Sequence, residues 1–224
     1  MQNTLVLYFD APIQSWGCHT YEDDRPTELF PTRSAITGLL AACLGIDREN
    51  QEEIISLDKS YKVAVIVEKQ GIRKEDYQTI RNAPLVSRET NKHAIISRKS
   101  YIFDGKFIVL LQFSNNAEYN IEKIISAIKK PVFTPFLGRR SCPITCPLFI
   151  NEEKNLLQED SLNNAVNIVF NRIQNNENKP TRIYSEDILE NGVQISVRDV
   201  PSSIGKKIYS QRTVYMCEGN YVFK

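Results

Sequence analysis

The 224-residue sequence predicts an α+β fold, and three observations carry that reading. Apolar runs of strand length recur near residues 3–10, 61–69 and 106–113. Two stretches, 33–46 and 121–128, instead repeat apolar residues at helical spacing. The two kinds of segment alternate in a fixed order, separated by turn signals.

Asn3 to Asp10 reads as a strand with Leu5, Leu7 and Phe9 on one face and Val6 and Tyr8 on the other. Residues 11–31 contain Pro12, Gly17, Pro26 and Pro31 and read as a long irregular loop, a kind of segment that is usually functional. Ile36, Leu39, Leu40, Cys43 and Leu44 give the next segment one buried helical stripe, with Thr32 or Ser34 able to cap it. Tyr61 to Lys69 is a core strand. Ser97 to Phe103 and Lys106 to Phe113 read as a hairpin around Asp104-Gly105. Ile121, Ile124, Ile125 and Ile128 mark a second helix, and Ile144 to Ile150 supplies a last strand. This β-α-β-β-α-β order is the ferredoxin-like, or RRM-like, plan, assigned to residues 1–150. Residues 70–98 are too long and too basic for a turn and read as a protruding hairpin arm. Nine asparagines fall within residues 151–178, so a flexible linker is expected there, leading into a smaller, mostly β portion within 151–224.

Net charge is only +1, which argues against a nucleic-acid binder with a uniformly basic exterior. The charge is segregated, however. Residues 73–101 and 122–140 each carry a net of +4, whereas 152–190 carry −4. Such segregation fits one anionic ligand on one side and protein partners elsewhere, although ordinary solvated faces give the same count. Five cysteines form no even framework and read as free thiols in a reducing cytoplasm. Cys142 and Cys146 are spaced for a metal, but no second Cys or His pair follows, so no metal or other cofactor is expected. No apolar run is long enough to span a bilayer.

The richest stretch is Thr134-Pro135-Phe136-Leu137-Gly138-Arg139-Arg140-Ser141-Cys142-Pro143. Adjacent guanidiniums on a glycine turn suit a phosphate or carboxylate, or else a structural salt-bridge node. Pro31-Thr32-Arg33-Ser34 opens a helix, where free N–H groups favour an anion or simply need a cap. Trp16, the only tryptophan, either anchors its loop or stacks on a base. Arg25 follows Glu22-Asp23-Asp24 and has a local ion pair as its alternative. The third core strand is apolar on both faces, so Phe107 and Phe113 read as core rather than as a base-stacking platform. The only histidines, His19 and His93, fall in no catalytic motif, and neither a carboxylate cluster nor a phosphate-binding loop is present.

Taken in order, QSWG at 14–17, RPT at 25–27, FPTRS at 30–34, GLLAACLGI at 38–46, DYQT at 76–79 and TPFLGRRSCP at 134–143 resemble the CasD family. CasD is the subunit of the type I-E CRISPR surveillance complex, Cascade, that holds the 5′ handle of the crRNA. PLF at 147–149, IYSED at 183–187 and RDVP at 198–201 are weaker echoes.

The resemblance implies a non-catalytic, cytoplasmic subunit that binds the crRNA handle and caps the backbone filament. It implies a CasC-type backbone subunit and a large CasA-type subunit as partners, and target DNA met indirectly through the complex. The RNA-contacting set it implies is Trp16, Arg25, Thr32, Arg33, Ser34, Tyr77, Thr79, Arg88, Arg98, Lys99, Arg139, Arg140 and Ser141. The basic arm corresponds to the family's thumb. Gln78 replaces the histidine that relatives often carry in this motif, which removes a proton shuttle. The competing reading is a metal-independent endoribonuclease that processes precursor crRNA, as in type I-C relatives.

Overall fold

Strand β1 (Gln2–Asp10) is buried within the main sheet because both of its faces are apolar and both are covered. The computed structural model describes residues 2–17, 23–84, 94–174, 182–203 and 208–218. After β1, four two-residue strands order the proline-punctuated loop: β2 (Ile13–Gln14), β3 (Trp16–Gly17), β4 (Asp24–Arg25) and β5 (Thr27–Glu28). Helices α1 (Arg33–Leu44) and α2 (Gln51–Lys59) follow, then β6 (Tyr61–Lys69). Helix α2 is not among the elements the sequence predicts; its Asn50 side chain caps it by accepting the Glu53 N–H.

Strands β7 (Ile72–Ile80) and β8 (Ile95–Phe103) pair antiparallel and form the basic arm. The expected hairpin between β8 and the next strand, β9 (Lys106–Phe113), does not form. On its other edge β8 pairs with β2 and β4 in a separate sheet, and Asp104, at φ 53°, turns the chain from that sheet into the main one. Helix α3 (Ile121–Lys129) comes next.

The expected strand at 144–150 is also absent. Pro143 and Pro147 lack N–H donors for a ladder, and this segment is irregular. The buried Asn155 side chain serves its backbone instead, donating to the Leu148 carbonyl and accepting from the Ile150 and Asn151 N–H groups. The edge position is taken by β10 (Leu156–Glu159), just after the short helix α4 (Glu152–Asn155).

The remaining elements are helix α5 (Leu162–Gln174) and strands β11 (Arg182–Ser185), β12 (Val193–Ser203) and β13 (Ile208–Glu218). One seven-stranded sheet runs β10-β1-β9-β6-β11-β13-β12, with every neighbouring pair antiparallel. Residues on both sides of position 150 therefore share a single sheet. The described part of the asparagine-rich stretch, up to residue 174, is not a linker. Leu162, Ala165, Val166, Val169, Phe170 and Ile173 fall at helical spacing and bury α5 on Val6, Ala64, Ile66, Ile108 and Leu110. On the opposite face α1 and α3 cover Leu5, Leu7, Phe9, Val65, Phe107 and Val109. With both faces covered, Phe107 and Phe113 are core, as the sequence indicates.

Truncating α5 tests whether the two parts unfold together. Phe170→Ala is expected to cost about 3–5 kcal/mol. Trp16 fluorescence, reporting from the other face, and far-UV circular dichroism are expected to give one coincident, shifted transition. An unshifted Trp16 transition would show that α5 melts separately.

Candidate nucleic-acid interface

Two structural nodes organise the surface that the motifs define. The first joins QSWG to TPFLGRRSCP. Ser15 donates its backbone N–H to the Leu137 carbonyl at 3.2 Å. Gly138 has φ 85°, and a Cβ there would stand 1.5 Å from the Ser15 carbonyl oxygen, so no other residue fits. Beneath this contact Trp16 is fully buried, stacked on Phe9 at 5.5 Å and edge-on to Phe107 at 6.1 Å. Its backbone N–H donates to Thr27 Oγ1 at 2.7 Å. Trp16 is therefore the anchor of its loop and exposes no face to a base, which corrects its assignment to the RNA-contacting set.

Arg139 belongs to the same node. Its Nη1 donates to the Ser100 carbonyl at 3.0 Å and its Nη2 to the Arg25 and Pro26 carbonyls, while the guanidinium lies 4.9 Å from the centre of the Tyr101 ring. Its donors hold β4 and β8 to the glycine turn. Arg140, one residue on, is exposed and makes no hydrogen bond or ion pair with the described residues. The two adjacent guanidiniums thus have different fates: one is a structural strut and the other is free for an anion. Ser141 is exposed, with its hydroxyl 3.3 Å from Tyr101 OH.

The second node buries Arg33. Its Nε donates to both Asp58 carboxylate oxygens at 2.9 Å and its Nη1 to Glu186 Oε1 at 2.6 Å. Its Nη2 donates to the Asp58 and Tyr61 carbonyls. The backbone N–H of Arg33, first in α1, donates to Asp199 Oδ2 at 2.7 Å. Arg212 grips the same Asp199 carboxylate with two donors, at 2.6 and 2.8 Å, and reaches Glu186 Oε1 at 3.0 Å.

The helix N-terminus thus already has its anion, supplied by the chain itself, so Arg33 is not available to a phosphate. Thr32 is buried and its side chain makes no cap bond. Burial alone would lower the Arg33 pKa, but Tyr61, Glu186 and Asp58 more than offset it and hold it above its ordinary value. Burial, and then Asp58, push the Tyr61 hydroxyl up. The carboxylates of Glu186 and Asp199 come from segments that the sequence marks only as the IYSED and RDVP echoes.

Between the two nodes lies a cleft of about 440 Å³. It is lined by Ser34, Ala35, Gly38 and Ala42 of α1, by Gly17 and Gly138, and by Phe133, Phe136, Tyr209 and Arg48. Residues from QSWG, FPTRS, GLLAACLGI and TPFLGRRSCP all meet here. Of the described residues expected to contact RNA, only Ser34 lines this cleft.

The arm carries Tyr77, Thr79, Arg98 and Lys99. Tyr77 is 55% exposed, with the Arg98 guanidinium 5.8 Å from its ring centre; the two are opposite each other in the β7–β8 register. Thr79 is exposed beside them. Lys99 donates to Gln78 Oε1 at 3.0 Å, and Gln78 Nε2 donates to Asp76 at 2.7 Å. Gln78 thus fills its position as a donor and acceptor link. Arg25 is exposed on β4, beside Lys99. Arg88 and both histidines lie outside the described residues. Among the described residues no group of three His, Cys, Asp or Glu side chains is placed to hold a metal, and no helix is long and apolar enough to cross a membrane.

The fold thus combines a sheet covered on both faces with an exposed basic hairpin and a motif-lined cleft. Comparison with known proteins identifies its class. A family model described as CRISPR-associated protein (Cas_Cas5) matches residues 4–215. The Cascade subunit CasD of Escherichia coli (strain K12) is 33% identical over 98% of this chain and 97% of its own length. Among solved structures, a chain of a CRISPR RNA-guided surveillance complex superposes with a TM-score of 0.69 at 23% identity, covering 96% of this chain and 89% of that one. A second, described as a Cas protein, gives 0.66 at 23% identity, covering 96% and 94%. The chain belongs to the CRISPR-associated Cas5 family, and the CasD resemblance of its motifs extends along its whole length.

Removing a strut and removing a free cation are expected to differ sharply. Arg33→Ala leaves the buried Asp58 without its cation, since Glu186 keeps Arg212, and is expected to cost about 3–5 kcal/mol, whereas Arg140→Ala leaves the thermal midpoint unchanged. Alkaline titration is a separate test. Burial pushes the Cys43 thiol up to about 11, above its ordinary value of 9.0. Between these values the folded state keeps a proton that the unfolded state has lost, so stability is full below pH 9 and falls with rising pH. Urea denaturation of Cys43→Ala against the parent is expected to recover up to about 1.4 kcal/mol per pH unit across that window. Equal pH slopes in the two proteins would contradict the assignment.

Proposed function

We propose that this chain is a non-catalytic Cascade subunit that binds the 5′ handle of crRNA and caps the backbone filament. The four-strand core β10-β1-β9-β6, with α1 and α3 on one face, reads as the ferredoxin-like domain of that subunit. The observation that carries the proposal is the meeting of four motifs at the α1 cleft, with the cations of an exposed arm on the same chain. The small residues Ser34, Ala35, Gly38 and Ala42 leave room for a nucleobase, and Phe136 and Tyr209 are aromatic neighbours able to stack on one. Arg73, Lys74, Arg98, Lys99 and Arg140 neutralise phosphates, with Tyr77 beside them as a stacking surface.

Phosphate contacts position the RNA, while its bases remain the reader of target DNA, which the subunit meets only through the complex. The CasC-type backbone subunit and the large CasA-type subunit are the protein neighbours in this reading, and the cytoplasm is its compartment.

The test is the salt dependence of crRNA binding. Arg98→Ala, Lys99→Ala and Arg140→Ala are each expected to weaken binding with an unchanged fold. Each is also expected to flatten the slope of log K against log salt by about one unit for every phosphate left without its cation. Slopes identical to the parent's in all three would overturn the proposal. Incubation of the chain alone with repeat RNA in EDTA is expected to give no cleavage, and specific cleavage would establish the endoribonuclease instead.

A further inference from the structure

A second concavity, of about 980 Å³, shares Ala42, Phe133 and Phe136 with the α1 cleft. Its lining is apolar: Ile128, Phe136, Ile144, Leu148 and Phe149 are supplemented by Pro135, Pro143 and Pro147. Exposed apolar side chains flank it in sequence: Val132 is 65% exposed, Phe133 52% and Ile150 50%. An apolar groove flanked in sequence by exposed apolar side chains marks an interaction site.

Two features identify what sits there. The first is the poverty of hydrogen-bonding groups. Only Lys129, Thr134 and Arg140 bring polar side chains, and the three prolines bring no backbone donor. A base buried here would leave its edges unpaired, at the cost of an unsatisfied polar group. Large apolar side chains lose nothing in such a groove. The second is charge. Lys129 and Arg140 stand at the groove, and among the described residues no carboxylate lines it. Lys129 is exposed, with its ammonium 4.6 Å from the centre of the Phe149 ring. An acidic partner is favoured and a basic one opposed.

We propose that this groove seats a segment of a partner protein that presents large apolar side chains flanked by carboxylates. The inference rests on the proposed role in a multi-subunit RNA complex. Because Ala42, Phe133 and Phe136 line both concavities, the protein partner and the RNA are neighbours across these three residues. Docking there holds the 133–136 segment against α1, where it is already tied by the Phe133 N–H to the Ala42 carbonyl at 3.0 Å.

The test pairs Pro147→Asp with Lys129→Glu, two exposed positions that line this groove and not the α1 cleft, and leaves Arg140 intact. The chain is co-expressed with the other subunits of its complex and a crRNA. Native mass spectrometry then counts the subunits, while the isolated chain's crRNA affinity is measured separately. The double variant is expected to retain one protein subunit less well by roughly tenfold or more, with crRNA affinity of the isolated chain within about twofold of the parent's. Single variants report the charge and the apolar contributions in turn, and an unchanged thermal midpoint excludes misfolding. A full complement of protein subunits in the double variant would overturn the inference while leaving the RNA reading intact. A loss of crRNA affinity with all protein subunits retained would reassign the groove to nucleic acid. A parent chain that assembles with no protein at all would remove both.

Discussion

Asp199 places one carboxylate where three demands meet. It caps the first N–H of α1, it receives two donors of Arg212, and it sits on the edge strand β12. Through Arg212 and Glu186 it is joined to Arg33 and Asp58, so five charged side chains tie α1 and α2 to the last three strands. Asp199 and Asp58 are almost wholly withdrawn from water. Such a cluster need not add much net stability, because desolvation offsets most of its attraction. Its effect is specificity. Any other docking of β12 and β13 strands a buried charge, so the helix that lines the cleft has one position relative to the sheet.

This constraint divides the arginines of the motifs into two populations. Arg33 and Arg139 spend their donors on carboxylates and carbonyls of the fold. Arg98 and Arg140 project from surfaces that the first two make rigid. A site that places free cations on a preformed scaffold loses little further entropy when RNA arrives. The glycine turn at 138 and the buried Trp16 serve the same end, since together they fix where residue 140 leaves the fold.

Much of this is legible in the sequence. The β1 alternation, the α1 stripe and the basic arm are all readable because local periodicity and charge determine them. Helix α5 is equally periodic, at 162, 165, 166, 169, 170 and 173, but its four asparagines give it the composition of a linker and mask that spacing. The 144–150 segment has the apolar content of a strand, while its prolines forbid the ladder that a strand needs. The roles of Arg33 and Arg139 cannot be separated from that of Arg140 by motif alone. Their partners are the Asp58, Glu186 and Asp199 carboxylates and the Ser100 and Arg25 carbonyls, brought near only by the tertiary fold. The one available signal is the Glu of IYSED and the Asp of RDVP, acids that have no basic neighbour at helical or strand spacing to explain them within IYSED and only Arg198 within RDVP.

The central claim is that Arg33 is spent on holding the two ends of the chain together rather than on a ligand. A double-mutant cycle between Arg33→Met and Glu186→Gln, read by urea denaturation, tests it most directly. A coupling of about 1–3 kcal/mol between residues 153 positions apart is expected, with crRNA affinity of the folded single variants close to the parent's. A coupling near zero, together with a large loss of crRNA affinity in folded Arg33→Met, would contradict it.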